Sequence, residues 1–236
     1  MILKKILTEI VDEKSKGRNP QVLFDLDSTL YDITPRNVAI LKAAANDSGL
    51  KNEFLLECHR LSQVEATHFE WGVEGHLRRL DLHQNFIFKA KIQEYWKQRF
   101  FSNEFLHFDT PYAGAVEFVR LLSDAKIDIF YLTGRDSPRM FEGTQKSLLY
   151  HGFPYAESML AMKPNHGVSD EHFKVEYFEQ FLKQNPSPYF FENEPVNIEL
   201  VRKKFSAIKI IYYKSIHCGR TSEPTDLPCI QGWDLQ

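Results

Sequence analysis

Two aspartates that follow a short apolar run carry the clearest chemical signal in this sequence. Asp25 and Asp27 come directly after residues 21–24, a pattern typical of a buried strand in a parallel sheet. Strand side chains alternate between faces, so Asp25 and Asp27 point the same way as the strand ends. Two acids that converge there suit a hard cation, and one of them could attack a phosphoryl group. A structural role as a helix cap or turn is the alternative.

Further polar residues follow two later apolar runs of the sequence. Thr133 and Gly134 end one predicted strand, and Glu192 ends another. The carboxyl ends of parallel strands meet at one edge of the sheet, where open α/β proteins bind their ligands. Lys174 lies near the start of the helix before the Glu192 strand, and a lysine at a helix N-terminus suits a phosphate. Hydroxyl, amide, ammonium and carboxylate groups together predict a phosphoryl site.

The elements that position these residues alternate between strand and helix in residues 1–32 and 109–236. Apolar residues at helical spacing predict that residues 1–16 form an amphipathic helix packed on the body of the protein. Short apolar runs predict five strands, at residues 21–26, 127–132, 158–162, 189–191 and 208–213. Strands that alternate with helices indicate an α/β fold with a five-stranded parallel sheet and right-handed crossovers. The tail from residue 214 onward is rich in turn residues and carries no motif.

Residues 33–108 have a different character, because they hold long helical patterns and no convincing strand. The predicted helices cover residues 36–47, 53–71, 73–81 and 85–101. An all-helical block inside an alternating chain indicates an inserted domain.

The loop near the middle of this block is open to two interpretations. His68, Phe69 and Trp71 are best explained as packing within the helical domain. The alternative is a loop that begins at Trp71 and reaches over the site, with Arg78 or Arg79 touching substrate. A basic pair is more often part of a solvated face.

Composition excludes several classes of function. The chain has 236 residues, and 43% hydrophobic and 26% charged residues are ordinary for a globular protein. A formal net charge of -3 gives no reason to expect a nucleic-acid partner, and no transmembrane run is present. Three cysteines without a CxxC pair favour a reducing, cytoplasmic compartment. Nine histidines form no HExxH motif, so no histidine metal site is expected. Whether the protein is a monomer or a homodimer stays open.

The four motifs occur in an order that resembles a known family. Asp-Leu-Asp-Ser-Thr follows the first strand, Leu-Thr-Gly-Arg follows the second, and a lysine and an acidic strand end come later. This set, spread over residues 21–213, is similar to the haloacid dehalogenase (HAD) superfamily. The resemblance implies a Rossmann-like, three-layer core with strand order 5-4-1-2-3. It also implies that residues 33–108 form a mobile helical cap of the C1 type.

The resemblance also implies a role for each motif residue. Asp25 matches the nucleophile that takes the phosphoryl group as an aspartyl phosphate. Asp27 matches the acid/base that protonates the leaving oxygen and then activates water, and its backbone carbonyl would bind Mg²⁺. Thr133 matches the hydroxyl that holds a phosphoryl oxygen, and Lys174 the lysine that neutralises Asp25 and the phosphate. Glu192 matches the first metal-binding acid, so the implied Mg²⁺ ligands are Asp25, Asp27 and Glu192.

Two motifs depart from the pattern or leave a choice. Lys163 competes with Lys174 as the motif lysine, but only Lys174 is connected by one helix directly to the strand of Glu192. The family usually has two aspartates in the fourth motif, whereas this chain has Glu192, Asn193 and Glu194. Glutamate still offers oxygen to Mg²⁺ but reaches one methylene further, and Glu194 is a candidate second ligand. Capping of the following helix is the alternative role.

These observations together predict a cytoplasmic, Mg²⁺-dependent phosphohydrolase that uses an aspartyl-phosphate intermediate. An acid at Asp27 favours phosphatases and phosphomutases of this superfamily over dehalogenases, which lack it. A lid over the site indicates a small phosphorylated substrate, such as a sugar phosphate or a nucleotide. The alternatives are a phosphomutase of the same superfamily and a binding module that kept the fold but lost efficient turnover.

Overall fold

The core of the protein is a parallel β-sheet of six strands. The structure, a computed structural model, describes residues 2–66 and 71–235. The strands of the described residues are β1 (Gln21–Phe24), β2 (Tyr31–Asp32), β3 (Thr110–Pro111), β4 (Asp128–Asp136), β5 (Leu160–Lys163), β6 (Tyr189–Glu192), β7 (Lys209–Tyr213) and β8 (Cys229–Ile230). The sheet has the order β5-β4-β1-β6-β7-β8, and β2 pairs with β3 in a separate antiparallel ribbon.

The helices of the described residues cover both faces of the sheet and form the segment between β2 and β3. They are α1 (Ile2–Ser15), α2 (Thr34–Asn46), α3 (Ser48–Glu53), α4 (Leu55–Leu61), α5 (Glu74–Arg79), α6 (Phe86–Phe100), α7 (Ala115–Asp124), α8 (Ser137–His151), α9 (Asp170–Phe181) and α10 (Pro195–Lys204). Side chains of α1, α7 and α8 pack with Val22 and Phe24 on one face, while α9 and α10 pack with Leu23 on the other. The alternation of neighbouring β1 residues between two cores confirms the three-layer α/β fold. No helix within the described ranges combines the length and apolarity needed to span a membrane.

The sheet confirms the predicted fold class and corrects the strand count. The five predicted strands correspond, in chain order, to β1, β4, β5, β6 and β7. Numbered 1 to 5 in that order, they lie in the expected order 5-4-1-2-3. β8 adds a sixth parallel strand beside β7. The sequence predicts no strand in this tail, which is rich in turn residues, so β8 is an addition to the predicted fold. Trp233, just beyond β8, is buried in the core and donates its indole N–H to the Thr29 carbonyl at 3.0 Å. A strand of two residues is too short to show the alternation of apolar and polar residues by which strands are predicted. Its stability comes from these tertiary contacts.

The helical segment between β2 and β3 has an apolar cluster of its own. Its buried members include Leu41 of α2, Leu77 of α5 and Phe88 of α6. The predicted long helix over residues 53–71 is wrong, because α4 covers only Leu55–Leu61. Before it, α2 ends at Asn46 and the short helix α3 begins at Ser48. Asp47 caps α3 by accepting the Leu50 N–H at 3.0 Å. The division into a core and a cap over residues 33–108 stays a prediction.

Candidate active site

A tight turn after β1 brings the two aspartates to the carboxyl edge of the sheet. The Asp25 N–H donates to the Phe191 carbonyl at 3.0 Å, which continues the β1–β6 ladder by one residue. Ser28 then adopts a left-handed conformation with φ of 61°, and its N–H donates to the Tyr31 carbonyl. Such a conformation costs a non-glycine residue about 1 kcal/mol and is retained where the fold requires it. The turn fixes Asp25 and Asp27 relative to the sheet.

Asp25, Lys174 and Glu192 form a buried chain of ion pairs. The Lys174 Nζ lies 2.7 Å from Asp25 Oδ1 and 2.5 Å from Glu192 Oε2, and the Thr29 hydroxyl donates to Asp25 Oδ2 at 3.1 Å. Two carboxylates here share one ammonium. Burial and the charge of Glu192 raise the pKa of Asp25 to about 8, although Lys174 opposes the shift. A further cation bound here would therefore favour the ionised form of Asp25.

Glu192 is held in place by the start of α10. Its Oε1 accepts the N–H groups of Asn193 and Glu194 at 3.0 and 2.9 Å, and Asn197 Nδ2 donates to Oε2 at 3.2 Å. The side chain of Glu194 turns instead toward the tail, where its oxygens accept the Cys218 N–H and thiol at 2.9 and 3.0 Å. The structure thus brings Glu192, and not Glu194, to Asp25 and Lys174.

The carboxylate of Asp27 is clamped by two arginines. Asp27 Oδ1 accepts from Arg36 Nη2 at 3.0 Å and from Arg135 Nε at 3.1 Å. Both guanidinium groups also pair with Asp109, at 3.0 and 2.8 Å, and these three partners are almost fully buried. Burial alone would raise the pKa of Asp27, but Arg135 and Arg36 outweigh it and hold that pKa well below its usual range. The clamp favours an ionised Asp27 and, by stabilising the charged form, also lowers the basicity of that carboxylate.

Thr133 and Gly134 lie where the sequence predicts, within β4 at the same edge of the sheet. Thr133 is buried and lines the same cavity as Asp25. A side chain at Gly134 would place its Cβ 2.2 Å from Asp170 Oδ2, so it would displace the Asp170 carboxylate from its present position. Asp170 Oδ1 in turn pairs with Lys163 Nζ at 2.6 Å. Lys163 therefore contacts Asp170, whereas Lys174 contacts Asp25.

A cavity of about 170 Å³ lies between the strand ends and the helical segment. The polar part of its lining includes the predicted site residues Asp25, Asp27, Thr133, Gly134, Lys174 and Glu192. The helical segment contributes the aromatic side chains of Trp71, Trp96, Phe100 and Phe101. A charged floor under an apolar wall is the usual form of a small-molecule site.

Trp71 corrects one of the sequence interpretations. Its side chain is 58% exposed and lines the cavity, so its interpretation as packing within the helical domain is wrong. His68 and Phe69 lie outside the described residues. In the part of the chain that is described, Arg78 does not line the cavity but pairs with Glu74 at 3.1 Å. Arg79 is also absent from that lining and contacts the His76 ring at 3.0 Å.

The clamp around Asp27 was missed by sequence reasoning. A signal for Arg36 was available, because it lies four residues before Ile40 on the buried face of α2. Arg135 is the last residue of the Leu-Thr-Gly-Arg motif, but the motif predicts no role for its side chain. Asp109 follows no strand and carries no pattern, so its part in the cluster appears only in three dimensions.

The acidic groups at the strand ends are oxygen donors of the kind that hard divalent cations prefer. Among the described residues, no group of three or more His, Cys, Asp and Glu side chains could hold a metal ion. Asp25 and Glu192 nevertheless face one another across Lys174, and ionisation of both would leave one negative charge that a cation could balance. Mg²⁺ is often bound by only one or two carboxylates, with water and substrate phosphate completing its shell. Two carboxylates and the Asp27 backbone carbonyl are thus a chemically suitable set.

Solved structures with a similar fold come from several bacteria. A HAD-superfamily hydrolase from Ehrlichia chaffeensis has 12% identity and a TM-score of 0.53, with 91% of this chain and 93% of that chain covered. CbbY from Rhodobacter sphaeroides, in complex with phosphate, has 13% identity and a TM-score of 0.52, with 92% and 95% covered. A predicted phosphatase from Clostridium acetobutylicum has 14% identity and a TM-score of 0.51, with 83% and 84% covered. At these identities the likeness establishes the fold.

The family follows from the sequence itself. No curated protein matches this chain in sequence. The sequence model of the haloacid dehalogenase-like hydrolases matches residues 21–193, which is most of the chain and contains all four motifs. With the sheet order and the cluster of motif residues at one edge, this match shows that the chain belongs to the haloacid dehalogenase-like hydrolase family.

Proposed function

We propose that this protein is a Mg²⁺-dependent phosphatase that hydrolyses a small phosphate monoester through a phosphoryl group on Asp25. The observation that carries the proposal is the placement of Asp25 in the cavity lining. Its Oδ1 pairs with Lys174 at 2.7 Å, while Thr133 and Gly134 line the same cavity from the neighbouring strand. A buried carboxylate beside a lysine and amide donors is suited to attack phosphorus and to stabilise the charge that develops. One protein of similar fold is described as a predicted phosphatase, and another is in complex with phosphate, and both support the same chemistry.

Each side chain has a role in the proposed reaction. Lys174 balances the negative charge shared by Asp25 and the phosphoryl oxygens, which Thr133 and the Gly134 amide hold. Only once a guanidinium contact has loosened does Asp27 remove a proton from the water that cleaves the aspartyl phosphate, because the full clamp holds the pKa of Asp27 too low for proton abstraction. To protonate the leaving oxygen in the earlier step, Asp27 must likewise have loosened one of its guanidinium contacts and taken up a proton from solvent. Mg²⁺, held by Asp25, Glu192 and the Asp27 backbone carbonyl, would supply positive charge that neutralises the phosphate.

The helical segment over residues 33–108 acts as the cap in this proposal. Its side chains form the wall opposite Asp25, and a cavity of about 170 Å³ admits a small metabolite. Closure of such a lid excludes water from the phosphoryl group until transfer has occurred.

All three cysteines carry free thiols, which fits the reducing cytoplasm that we propose for this enzyme.

A binding module with weak turnover is the second candidate. The observation that favours it is the saturation of Glu192, whose two oxygens already accept from four donors. Glu192 must give up one of these contacts before it binds a metal. Asn193 also supplies no charge where the family usually has an acid.

Removal of the metal tests the proposal. We expect hydrolysis of p-nitrophenyl phosphate in Mg²⁺ and a rate lower by about 100-fold or more after chelation, because the metal contributes several kcal/mol of charge stabilisation. Return of the rate on adding Mg²⁺ is the control for damage by the chelator. An unchanged rate after chelation would contradict the metal dependence, and a folded protein without turnover would support the binding module.

The two candidate lysines can be separated by matched substitutions. We expect Lys174→Met to lower kcat/KM by about 100-fold or more, because it removes the cation that contacts Asp25. Lys163→Met removes a cation that contacts Asp170, and we expect a loss of less than about tenfold. Steady-state kinetics with p-nitrophenyl phosphate gives both values.

Folding must be checked in the same experiment, since Lys174 is buried between two carboxylates. Circular dichroism and thermal unfolding show whether each variant is folded at the assay temperature. Lys174→Gln removes the charge but keeps a hydrogen-bond donor, and it serves as a second variant if the methionine variant unfolds. Equal losses at the two lysines in folded proteins would contradict the assignment of Lys174.

A further inference from the structure

The cavity wall opposite Asp25 is aromatic. Trp71, Trp96, Phe100 and Phe101 line the same cavity as the charged strand ends. The proposed phosphoryl transfer uses only the charged and hydroxyl groups of the core, so it leaves these rings without a role. A cavity with a charged floor and an aromatic wall matches a ligand that has phosphate at one end and an apolar, flat group at the other.

Three of the rings are fixed by their neighbours. Trp96 stacks on Phe100 with centroids 4.6 Å apart, and its indole N–H donates to Asn37 Oδ1 at 2.8 Å. The guanidinium of Arg36, part of the clamp on Asp27, lies 4.0 Å from the Phe100 centroid. Phe101 meets Phe100 edge-on at 5.0 Å. Rings that are held in this way form a surface that a ligand meets without first having to order it.

Trp71 is the open ring of the four. Its side chain is 58% exposed at the cavity, whereas Phe100 is only 8% exposed. A large exposed indole beside a charged site is an unusual use of tryptophan, which is buried in most proteins. A planar ligand that covered it would remove apolar surface from water and gain stacking energy.

We propose that the phosphorylated substrate carries a planar aromatic ring, which binds on Trp71 beside the wall of Trp96, Phe100 and Phe101. This inference rests on the proposed function, because the phosphate is placed at Asp25 and Lys174. A nucleobase and a simple aryl group share the required chemistry. A sugar phosphate without a ring of this kind leaves the indole exposed.

Paired ligands that differ only in the ring test the proposal. Isothermal titration calorimetry on Asp25→Asn, which binds without turnover, compares adenosine 5′-monophosphate with ribose 5-phosphate, and phenyl phosphate with cyclohexyl phosphate. We expect the aromatic member of at least one pair to bind about tenfold more tightly, since one stacked ring contributes that much or more. Preference in the first pair identifies a nucleobase, and preference in the second a simple aryl group. Asp25→Ala is the alternative background if the asparagine variant does not fold.

Substitution of the open ring then assigns the preference to Trp71. In Trp71→Leu we expect the ratio of affinities within the preferred pair to fall to about twofold or less. The matched control is Tyr150→Leu, which removes an aromatic ring that is 86% exposed on α8, away from the cavity. The ratio should be unchanged in this control.

Two results overturn the inference, and both are distinct from failure of the proposed function. Equal affinities within both pairs would show that the wall does not bind rings, even if the wild-type enzyme hydrolyses phosphate esters. A preference that survives Trp71→Leu would show that the indole is not the binding surface. Failure of the proposed function is read separately, from the absence of turnover in the wild type.

Discussion

Replacement of Asp25 by asparagine should lower the turnover of p-nitrophenyl phosphate by about 10³-fold or more, the loss typical of a removed nucleophile. An amide has a similar shape but lacks the charge needed to attack phosphorus. Its position should be kept, because Thr29 still donates to the retained oxygen and Glu192 still pairs with Lys174. The measurement is kcat in saturating Mg²⁺. Acid quenching of the wild type with labelled substrate should in addition trap label on the protein, and no label should appear on the variant.

The matched control is Asp124→Asn, an identical change at an exposed position at the end of α7. It should leave kcat unchanged. If the Asp25 variant kept turnover within about tenfold of the wild type, another group would have to be the nucleophile.

The same variant has a second readout in the pH dependence of stability. In the metal-free protein, burial and Glu192 raise the pKa of Asp25 from 3.8 to about 8. A raised carboxyl pKa means that the folded state holds a proton that the unfolded state releases, so stability from this group is lost as pH rises toward 8. Asparagine does not titrate. The Tm of Asp25→Asn relative to wild type should therefore rise by about 3 °C or more between acidic and alkaline pH, as followed by thermal unfolding in chelator. A flat difference would show that Asp25 is ionised throughout.

Much of the site could be predicted because its residues lie at strand ends. Asp25, Thr133 and Glu192 each follow an apolar run, and parallel strands bring such ends together whatever the loops between them do. The sequence favours Lys174 over Lys163 because one helix connects Lys174 directly to the strand of Glu192. The strand order, in contrast, is implied by the resemblance to the haloacid dehalogenase superfamily and not by local rules.

Other features depend on contacts that no local pattern records. The strand β8 is two residues long and is held by β7 and by the burial of Trp233. The exposure of Trp71 depends on how the helical segment sits over the strand ends. Asp109 belongs to no motif. Its partner Arg36 lies 73 residues before it in the chain, and its partner Arg135 lies 26 residues after it.

The clamp around Asp27 connects the helical segment to the core. Arg36 comes from α2, Arg135 from β4, and Asp109 from the return of the chain toward β3. Two carboxylates and two guanidinium groups balance in charge, and the three outer partners are at most 1% exposed. Because removal of one partner leaves a buried charge unpaired, the cluster makes stability depend on all of its members.

Asp109→Leu should therefore reduce the free energy of unfolding by about 3 to 5 kcal/mol, because Arg36 and Arg135 are left with Asp27 alone. Urea denaturation followed by circular dichroism measures the change. The control is Arg202→Met, which breaks the exposed pair with Asp226 and should cost less than about 1 kcal/mol.

The double variant Asp109→Leu with Arg36→Met decides whether the cost comes from unpaired charge. It removes one acid and one cation together, so Asp27 and Arg135 remain as a balanced pair. Replacing a buried ion pair by apolar side chains of similar volume is often neutral, and we expect the double variant to recover about 2 kcal/mol or more of the single loss. If the two changes were additive instead, Asp109 would stabilise the fold by its packing, and the clamp on Asp27 would not depend on charge balance.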